Sequence, residues 1–163
     1  MKPRAFTIIE VVLAITLLII LVTSVYPLVG WMRTKSIRLQ YDSQAALVLQ
    51  EGMEAAYSVM MSDWSGFPPG PGYFYPIIDA SSGTPVWKLT AGIQSNYQAR
   101  FERKILISQV CRRLVTGQME NTPCQADYPA DPYSRKVTTT VSWRESGKTK
   151  SINAQLLTVS INR

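Results

Sequence analysis

The sequence predicts an α+β protein in which one long N-terminal helix packs on one face of a four- or five-stranded antiparallel sheet. Three observations support this fold class. An apolar run occupies residues 6–26, helical periodicity continues over residues 37–64, and short segments rich in branched and aromatic residues fill the remainder. With 163 residues, the chain can form one domain around a modest core.

The apolar run has the length of a membrane span. Its 21 residues contain a single charged residue, Glu10. At about 1.5 Å per residue, they cross a hydrocarbon core of about 30 Å. Ordinary soluble sequence follows from Arg33 onward. We therefore expect a single span over residues 6–31 and a soluble domain over residues 32–163.

Charge alone does not orient this span. Basic residues lie on both sides of it: Lys2 and Arg4 before, and Arg33, Lys35 and Arg38 after. The segment before the span is too short for a folded domain, and the two cysteines favour an oxidising compartment for the C-terminal part. We expect a single-pass protein of the cytoplasmic (inner) membrane, with its N-terminus in the cytoplasm and its soluble domain outside.

The composition also argues against some classes of function. The net charge of +6 is a mild basic bias that includes Lys2 and Arg4, and the chain has no histidine. Histidine is the usual general base near neutral pH and the commonest metal ligand. We therefore expect no enzymatic activity, no catalytic residues, no bound metal and no cofactor.

The N-terminal segment differs from a secretory signal peptide, in which a small-residue cleavage site follows roughly 7–15 apolar residues. Here the small residue Ala5 precedes the run, and the run is longer. Residues 2–15 read Lys-Pro-Arg-Ala-Phe-Thr-Ile-Ile-Glu-Val-Val-Leu-Ala-Ile. This short basic leader, followed by Ala5, Phe6 and then Glu10, resembles the class III signal of type IV prepilins and type II secretion pseudopilins.

The resemblance implies a processing site. In that family a prepilin peptidase cuts on the cytoplasmic side of the apolar segment and methylates the new N-terminal amine. The match assigns the cut to the Ala5–Phe6 bond and the methylated amine to Phe6, so that residues 1–5 are a cleaved leader. The family usually has glycine before the cut, where this chain has Ala5. The resemblance is close over residues 2–30 and loose beyond them.

Glu10 admits two interpretations. A carboxylate inside a bilayer costs about 2.5–3.5 kcal/mol on insertion scales, so it requires a partner. The resemblance implies that this partner is the N-terminal amine of a neighbouring subunit, which cleavage creates at Phe6. Alternatively, Glu10 lies at the membrane interface near Arg4 and extends to water.

Pro27 lies 21 residues after Phe6, and Gly30 follows it. A proline inside a helix removes one hydrogen bond and kinks the chain. The resemblance implies an assembly role for Pro27, because pilins have a proline near this position in a segment that melts locally in the filament. The alternative is an ordinary helix irregularity at the membrane exit.

Apolar residues after Gly30 recur at helical spacing, and they predict that the helix continues to about residue 63. They are Ile37, Tyr41, Ala45, Val48, Leu49, Ala56, Met60 and Trp64. The proline- and glycine-rich residues 65–72 end it.

We expect strands at residues 73–79, 86–90, 99–112, 136–144 and 151–161. The last two, joined by a turn at residues 145–148, resemble the C-terminal hairpin of minor pilins and pseudopilins. The complete pattern is therefore type IV pilin-like.

Cys111 and Cys124 bracket an irregular loop. A disulfide would close a loop of roughly 14 residues, which is worth about 3 kcal/mol in the chain-entropy model. Metal binding is the rival hypothesis, although two cysteines without histidine make a poor site. In the family that the chain resembles, such a loop lies on the outward face of the filament.

Ten basic residues cluster near the third strand and the final hairpin. They are Arg100, Arg103, Lys104, Arg112, Arg113, Arg135, Lys136, Arg144, Lys148 and Lys150. They could form a DNA-binding stripe, or they could be a solvated sheet edge whose charges discourage aggregation. The second interpretation is favoured, because no nucleic-acid motif accompanies them.

The resemblance implies a structural subunit of a type IV pilus, or of a related type II secretion or competence filament, as a minor component. Its implied partners are prepilin peptidase, other pilin or pseudopilin subunits, the inner-membrane assembly platform, and membrane lipid before assembly. Three alternatives remain: a major pilin, a DNA-binding pilin for DNA uptake, and a single-pass anchored binding domain that never assembles.

The first prediction concerns processing. Protein extracted from membranes should lack five residues and carry one added methyl group on Phe6, because the short basic leader precedes the apolar run. Intact-mass measurement and N-terminal sequencing check this. Full-length chain recovered from cells with active peptidase would contradict it.

Overall fold

The computed structural model describes residues 7–81, 83–120 and 123–160. One helix, α1, runs over Ile8–Ser62 and contributes to two compact units that divide after Ser43. Seven strands follow within the described residues: β1 Gly72–Asp79, β2 Val86–Ala91, β3 Gln94–Tyr97, β4 Phe101–Arg112, β5 Met119–Glu120, β6 Ala130–Glu145 and β7 Lys148–Val159.

The first unit contains the apolar part of α1, and its described side chains up to residue 40 are exposed on all sides of the helix. The helix is continuous through Pro27. Its hydroxyl groups donate to carbonyl groups one turn earlier, from Thr16 to Val12 at 2.7 Å and from Ser24 to Ile20 at 2.7 Å. Among the described residues, α1 is the one helix that is long and apolar enough to cross a membrane.

In the second unit, the remainder of α1 packs on an antiparallel sheet, which confirms the α+β fold class. The helix buries mostly small side chains at spacings of three and four residues: Ala45, Val48, Gly52, Ala55, Ala56 and Met60. Four of these were predicted. Of the other predicted residues, Tyr41, Leu49 and Trp64 are partly buried, and Ile37 is exposed in the first unit. Ala55 lies on the buried face without having been predicted there.

The core of the second unit consists of two clusters under the helix. One joins Ala56 and Met60 to Ile105, Ile107 and Val137, and the other joins Ala45 and Val48 to Phe101, Val141 and Trp143. The rings of Phe101 and Trp143 meet edge to face, with centroids 6.1 Å apart. The inward residues of β4 and β6 alternate with outward ones, so these two strands supply most of the sheet's share of the core.

The sheet has the strand order β2-β1-β4-β6-β7, and β3 and β5 each pair with β4. The β6–β7 hairpin is confirmed, with Glu145 opposite Lys148 and with both turn residues, Ser146 and Gly147, at positive φ. The expectation of four or five strands was too low for the described residues. The short strands β3 and β5 were not predicted, and β6 begins six residues earlier than predicted.

Gly52 allows the helix to approach β6 closely. A Cβ added at this position would lie 2.9 Å from Thr139 Cγ2 and 3.5 Å from Arg103 Cδ. Thr139 is fully buried in the sheet, so its methyl group cannot swing out to solvent. Glycine at this position therefore sets the spacing between helix and sheet.

Gly52→Ala should lower the free energy of unfolding by roughly 1 kcal/mol, because overpacking of about 1–3 kcal/mol exceeds the gain of about 0.8–1.0 kcal/mol in helix propensity. Thr139→Ala should also destabilise, but the double variant should lose less than the sum of both, since one methyl group replaces the other. Denaturant unfolding of the purified chain in detergent measures this coupling. Gly30→Ala adds the same methyl where no atom lies within 4 Å, and serves as the control. Strictly additive losses would contradict the close approach.

Candidate functional site

The first candidate site is the exposed apolar surface of α1 around Glu10. Ala5 and Phe6, the predicted cleavage and methylation positions, lie outside the described residues. Glu10 lies in the first turn of α1, where its backbone N–H donates to the Thr7 carbonyl at 3.0 Å. Its carboxylate is exposed and has no ion-pair partner among the residues that the structure describes.

Apart from Thr7, the described residues near Glu10 are apolar on every side of the helix. Ile8 is 85 % exposed, and Ile9, Val11 and Leu13 are exposed as well. A single carboxylate therefore stands in a surface that neither water nor the rest of the described chain covers favourably. Lipid would cover the apolar side chains, but only a cation or a hydrogen-bond donor would satisfy the carboxylate.

Pro27 lies inside α1 and has no N–H group, so the Thr23 carbonyl one turn earlier lacks its usual helical donor. Glycine at position 30 is not required by packing within the described chain, because an added Cβ would meet nothing within 4 Å. This stretch of helix is weaker in backbone hydrogen bonding than the rest. Whether it melts in an assembled filament stays a prediction.

The second candidate site is the loop between β4 and β6. The predicted disulfide is confirmed: Cys111 and Cys124 are joined, with their Cα atoms 5.2 Å apart and Cys111 fully buried. The Gly117 N–H donates to the Arg113 carbonyl at 2.8 Å, and the Leu114 N–H donates to the Asp127 carbonyl at 3.3 Å. The bridge and these bonds fix a loop whose apolar tip, Leu114 and Val115, is exposed.

Asp131 holds the base of this loop. Arg112 Nε donates to Asp131 Oδ2 at 3.0 Å, Ser134 Oγ donates to the same oxygen at 2.8 Å, and the Tyr133 N–H donates to Oδ1 at 2.9 Å. Arg112 Nη1 also donates to the Gly117 carbonyl at 2.9 Å, so this side chain connects loop and strand. Burial alone would raise the pKa of Asp131, but these donors outweigh it and lower the pKa below its ordinary value.

The predicted basic cluster does not form one continuous surface. Arg103 is 1 % exposed and lies under the helix. Arg112 forms an ion pair with Asp131 at 3.0 Å, and Lys150 forms an ion pair with Glu145 at 2.6 Å. Arg135 donates to three backbone carbonyls of residues 131, 132 and 134. Four of the ten predicted cations therefore serve the fold, which leaves fewer of them for phosphate contacts.

Arg103 instead belongs to a buried polar cluster that was not predicted from the sequence. Its Nη1 lies 3.1 Å from Glu51 Oε1 of α1 in an ion pair, and its Nε and Nη2 donate to Gln94 Oε1 at 3.1 and 2.7 Å. The guanidinium carbon lies 4.1 Å from the ring centroid of Tyr97. The cluster thereby ties the helix to β3 and β4.

Tyr97 completes the cluster, because its hydroxyl donates to Glu51 Oε2 at 2.9 Å. Burial and this hydrogen bond to a carboxylate both raise the pKa of Tyr97. The residue therefore stays protonated as a donor throughout the physiological pH range. Its role is structural, because its hydroxyl and the Arg103 guanidinium both contact the Glu51 carboxylate within the unit.

A simple signal in the sequence could have found Arg103. Phe101, Ile105 and Ile107 alternate with polar residues along β4, and Arg103 shares their odd-numbered positions on the strand. Glu51 lies on α1 one residue before the close contact at Gly52. No pattern in the sequence, however, indicated the short strand β3 that supplies Gln94 and Tyr97.

Comparisons with protein-family models, with curated proteins and with solved structures gave no significant match.

The Asp131 cluster predicts a pH dependence. Because its pKa is lowered in the folded state, Asp131 contributes stability above the unfolded pKa of about 3.9, and this contribution is lost as the pH falls through the folded value. Asp131→Asn should lower the free energy of unfolding by roughly 1–2 kcal/mol at pH 7, and by progressively less as the pH falls below about 4 towards the folded pKa.

Denaturant unfolding at several pH values measures this difference, and Asp127→Asn is the matched control, because Asp127 is exposed. An equal loss for Asp131→Asn at acid and neutral pH would show that its role does not depend on charge.

Proposed function

We propose that this chain is a structural subunit, of minor-pilin type, of a type IV pilus or a related type II secretion or competence filament. The observation that carries the proposal is a single carboxylate, Glu10, in an exposed apolar helix that continues into an α+β unit. A short basic leader precedes that helix in the sequence. We assign the chain no enzymatic role.

The exposed helix surface supports assembly rather than permanent anchoring. Lipid alone satisfies the apolar side chains from Ile8 to Val29, but it leaves Glu10 charged and unsolvated or forces it to the interface. A bundle of such helices covers the apolar side chains and also neutralises Glu10, if each carboxylate pairs with the amine of a neighbouring subunit. Pairing two charges in an apolar bundle also favours one axial register, because any other register leaves both charges without a partner.

The proposed sequence of events begins with insertion into the cytoplasmic membrane with the N-terminus inside. Prepilin peptidase then cuts after Ala5 and methylates the amine of Phe6, which becomes the partner for Glu10 of a neighbouring subunit. The assembly platform moves the processed helix from lipid into the filament bundle. Pro27 would allow the helix to bend or open locally when its surroundings change.

A single-pass anchored domain that never assembles makes different predictions. It would keep residues 1–5, would not need Glu10, and would be absent from isolated filaments. A DNA-binding pilin would show salt-dependent DNA binding through surface cations.

Replacing Glu10 tests the proposal. Glu10→Leu should insert into the membrane as well as the wild type or better, because a charge leaves the bilayer. Its incorporation into filaments should nevertheless fall, since the Phe6 amine is left unpaired in an apolar bundle, a loss of a few kcal/mol. Glu10→Asp should be intermediate. The measurement is the ratio of filament-bound to membrane-bound protein at matched expression.

Thr16→Leu is the matched control, because it removes a polar group from the same helix without removing a charge. Leader cleavage must be checked by mass in every variant, so that a recognition defect of the peptidase is not mistaken for an assembly defect. If cleaved Glu10→Leu protein enters filaments as well as the wild type, the assembly role of Glu10 is wrong.

A further inference from the structure

The helix immediately after the apolar segment carries only positive charge. No acidic residue lies between Glu10 and Asp42, whereas Arg33, Lys35 and Arg38 follow the apolar segment. All three cations lie within α1, and their side chains are exposed. This is the most strongly cationic stretch of the first unit.

Its distance along the helix places this stretch at the membrane surface. A hydrocarbon core of about 30 Å takes up about 20 helical residues, so a span that begins at Ile8 ends near Pro27. Trp31 and Arg33 then lie about 6 and 9 Å beyond the core, in or at the edge of the headgroup layer. The long side chain of Lys35 can reach back to the same depth.

Aromatic residues mark the same boundary. Tyr26 is 82 % exposed, and Trp31, five residues later, is exposed as well. Lys35 Nζ lies 4.6 Å from the ring centroid of Trp31, so the ammonium group and the indole form one amphipathic surface. Tyrosine and tryptophan concentrate at membrane interfaces because their rings are apolar and their N–H or O–H groups are polar.

These groups surround the helix instead of marking one face. At about 100° per residue, Trp31, Lys35 and Arg38 lie on one side, and Tyr26 and Arg33 lie on the opposite side. A folded protein partner would contact one side and leave the other cations in the headgroup layer. Lipid headgroups surround a span completely, so their geometry fits this ring of charges.

We propose that residues 26–38 form a binding collar for anionic phospholipids, in which Arg33 and Lys35 pair with headgroup phosphates and Tyr26 and Trp31 fix the depth. Arg38, about 16 Å beyond the core, adds charge that attracts the anionic surface over about one Debye length. The inference rests on the membrane span of the proposed function, but it does not depend on filament assembly. Each basic residue near a negatively charged surface contributes about a fivefold change in affinity. The collar therefore enriches anionic lipid around the inserted helix.

Fluorescence quenching by brominated lipid tests the collar in the full chain. The protein is reconstituted in vesicles of phosphatidylcholine and phosphatidylglycerol, with bromine carried by one lipid or by the other. Subtracting the signal of Trp31→Phe isolates the quenching of Trp31. We expect at least about fivefold enrichment of phosphatidylglycerol at Trp31, which high salt should reduce.

The triple variant Arg33→Gln, Lys35→Gln, Arg38→Gln should lose this enrichment. Lys136→Gln, Arg144→Gln, Lys148→Gln removes the same charge from the second unit and should keep it. Equal quenching by both lipids in the wild type would overturn the proposal and favour an acidic protein partner. Enrichment that survives in the first triple variant would overturn it as well.

Insertion is scored separately, by flotation of the protein with pure phosphatidylcholine vesicles after alkaline washing. Failure to insert would overturn both the span and the collar. Normal insertion without enrichment would overturn the collar alone and leave the proposed function standing.

Discussion

The exposed apolar surface of α1 is the constraint on which the rest of the molecule depends. From Ile8 to Val29 the helix has no cover within the described chain, and water is an unfavourable environment for it. Lipid satisfies this surface except at Glu10. The helical backbone is hydrogen-bonded internally apart from the Thr23 carbonyl before Pro27, and the hydroxyl groups of Thr16, Thr23 and Ser24 donate to carbonyls of the same helix. The carboxylate is what distinguishes this helix from a plain anchor.

In the second unit, the C-terminal part of the same helix packs against the sheet. Small side chains at Ala45, Gly52, Ala55 and Ala56 let the helix approach the sheet closely, and Arg103 crosses the interface to Glu51. Because Glu51 keeps 32 % of its side chain exposed, the ion pair escapes part of the desolvation penalty of a fully buried one. Apolar packing supplies most of the stability, and the polar cluster restricts how the helix can slide on the sheet.

Much of this could be predicted from the sequence, and the misses share a cause. Helix length, the long strands, the final hairpin and the disulfide partners follow from periodicity, turn residues and cysteine count. The features that were not predicted depend on contacts between residues distant in the sequence. Strand β3 shows no alternation of apolar and polar residues. Arg103 is basic like the exposed residues near it in the sequence, and only its contacts with Glu51 and Tyr97 distinguish it as a buried residue. The roles proposed for Ala5, Phe6, Glu10 and Pro27 come from the resemblance, because each involves contacts with another molecule.

Contact between neighbouring apolar helices is the central claim, and site-specific photo-crosslinking measures it most directly. A benzophenone side chain at Val11, next to Glu10 on the exposed helix surface, should form adducts with the N-terminal helix of another subunit in isolated filaments. The adducts should disappear in cells that lack prepilin peptidase. Adducts with lipid alone, in cells that process the leader and build filaments, would contradict the claim.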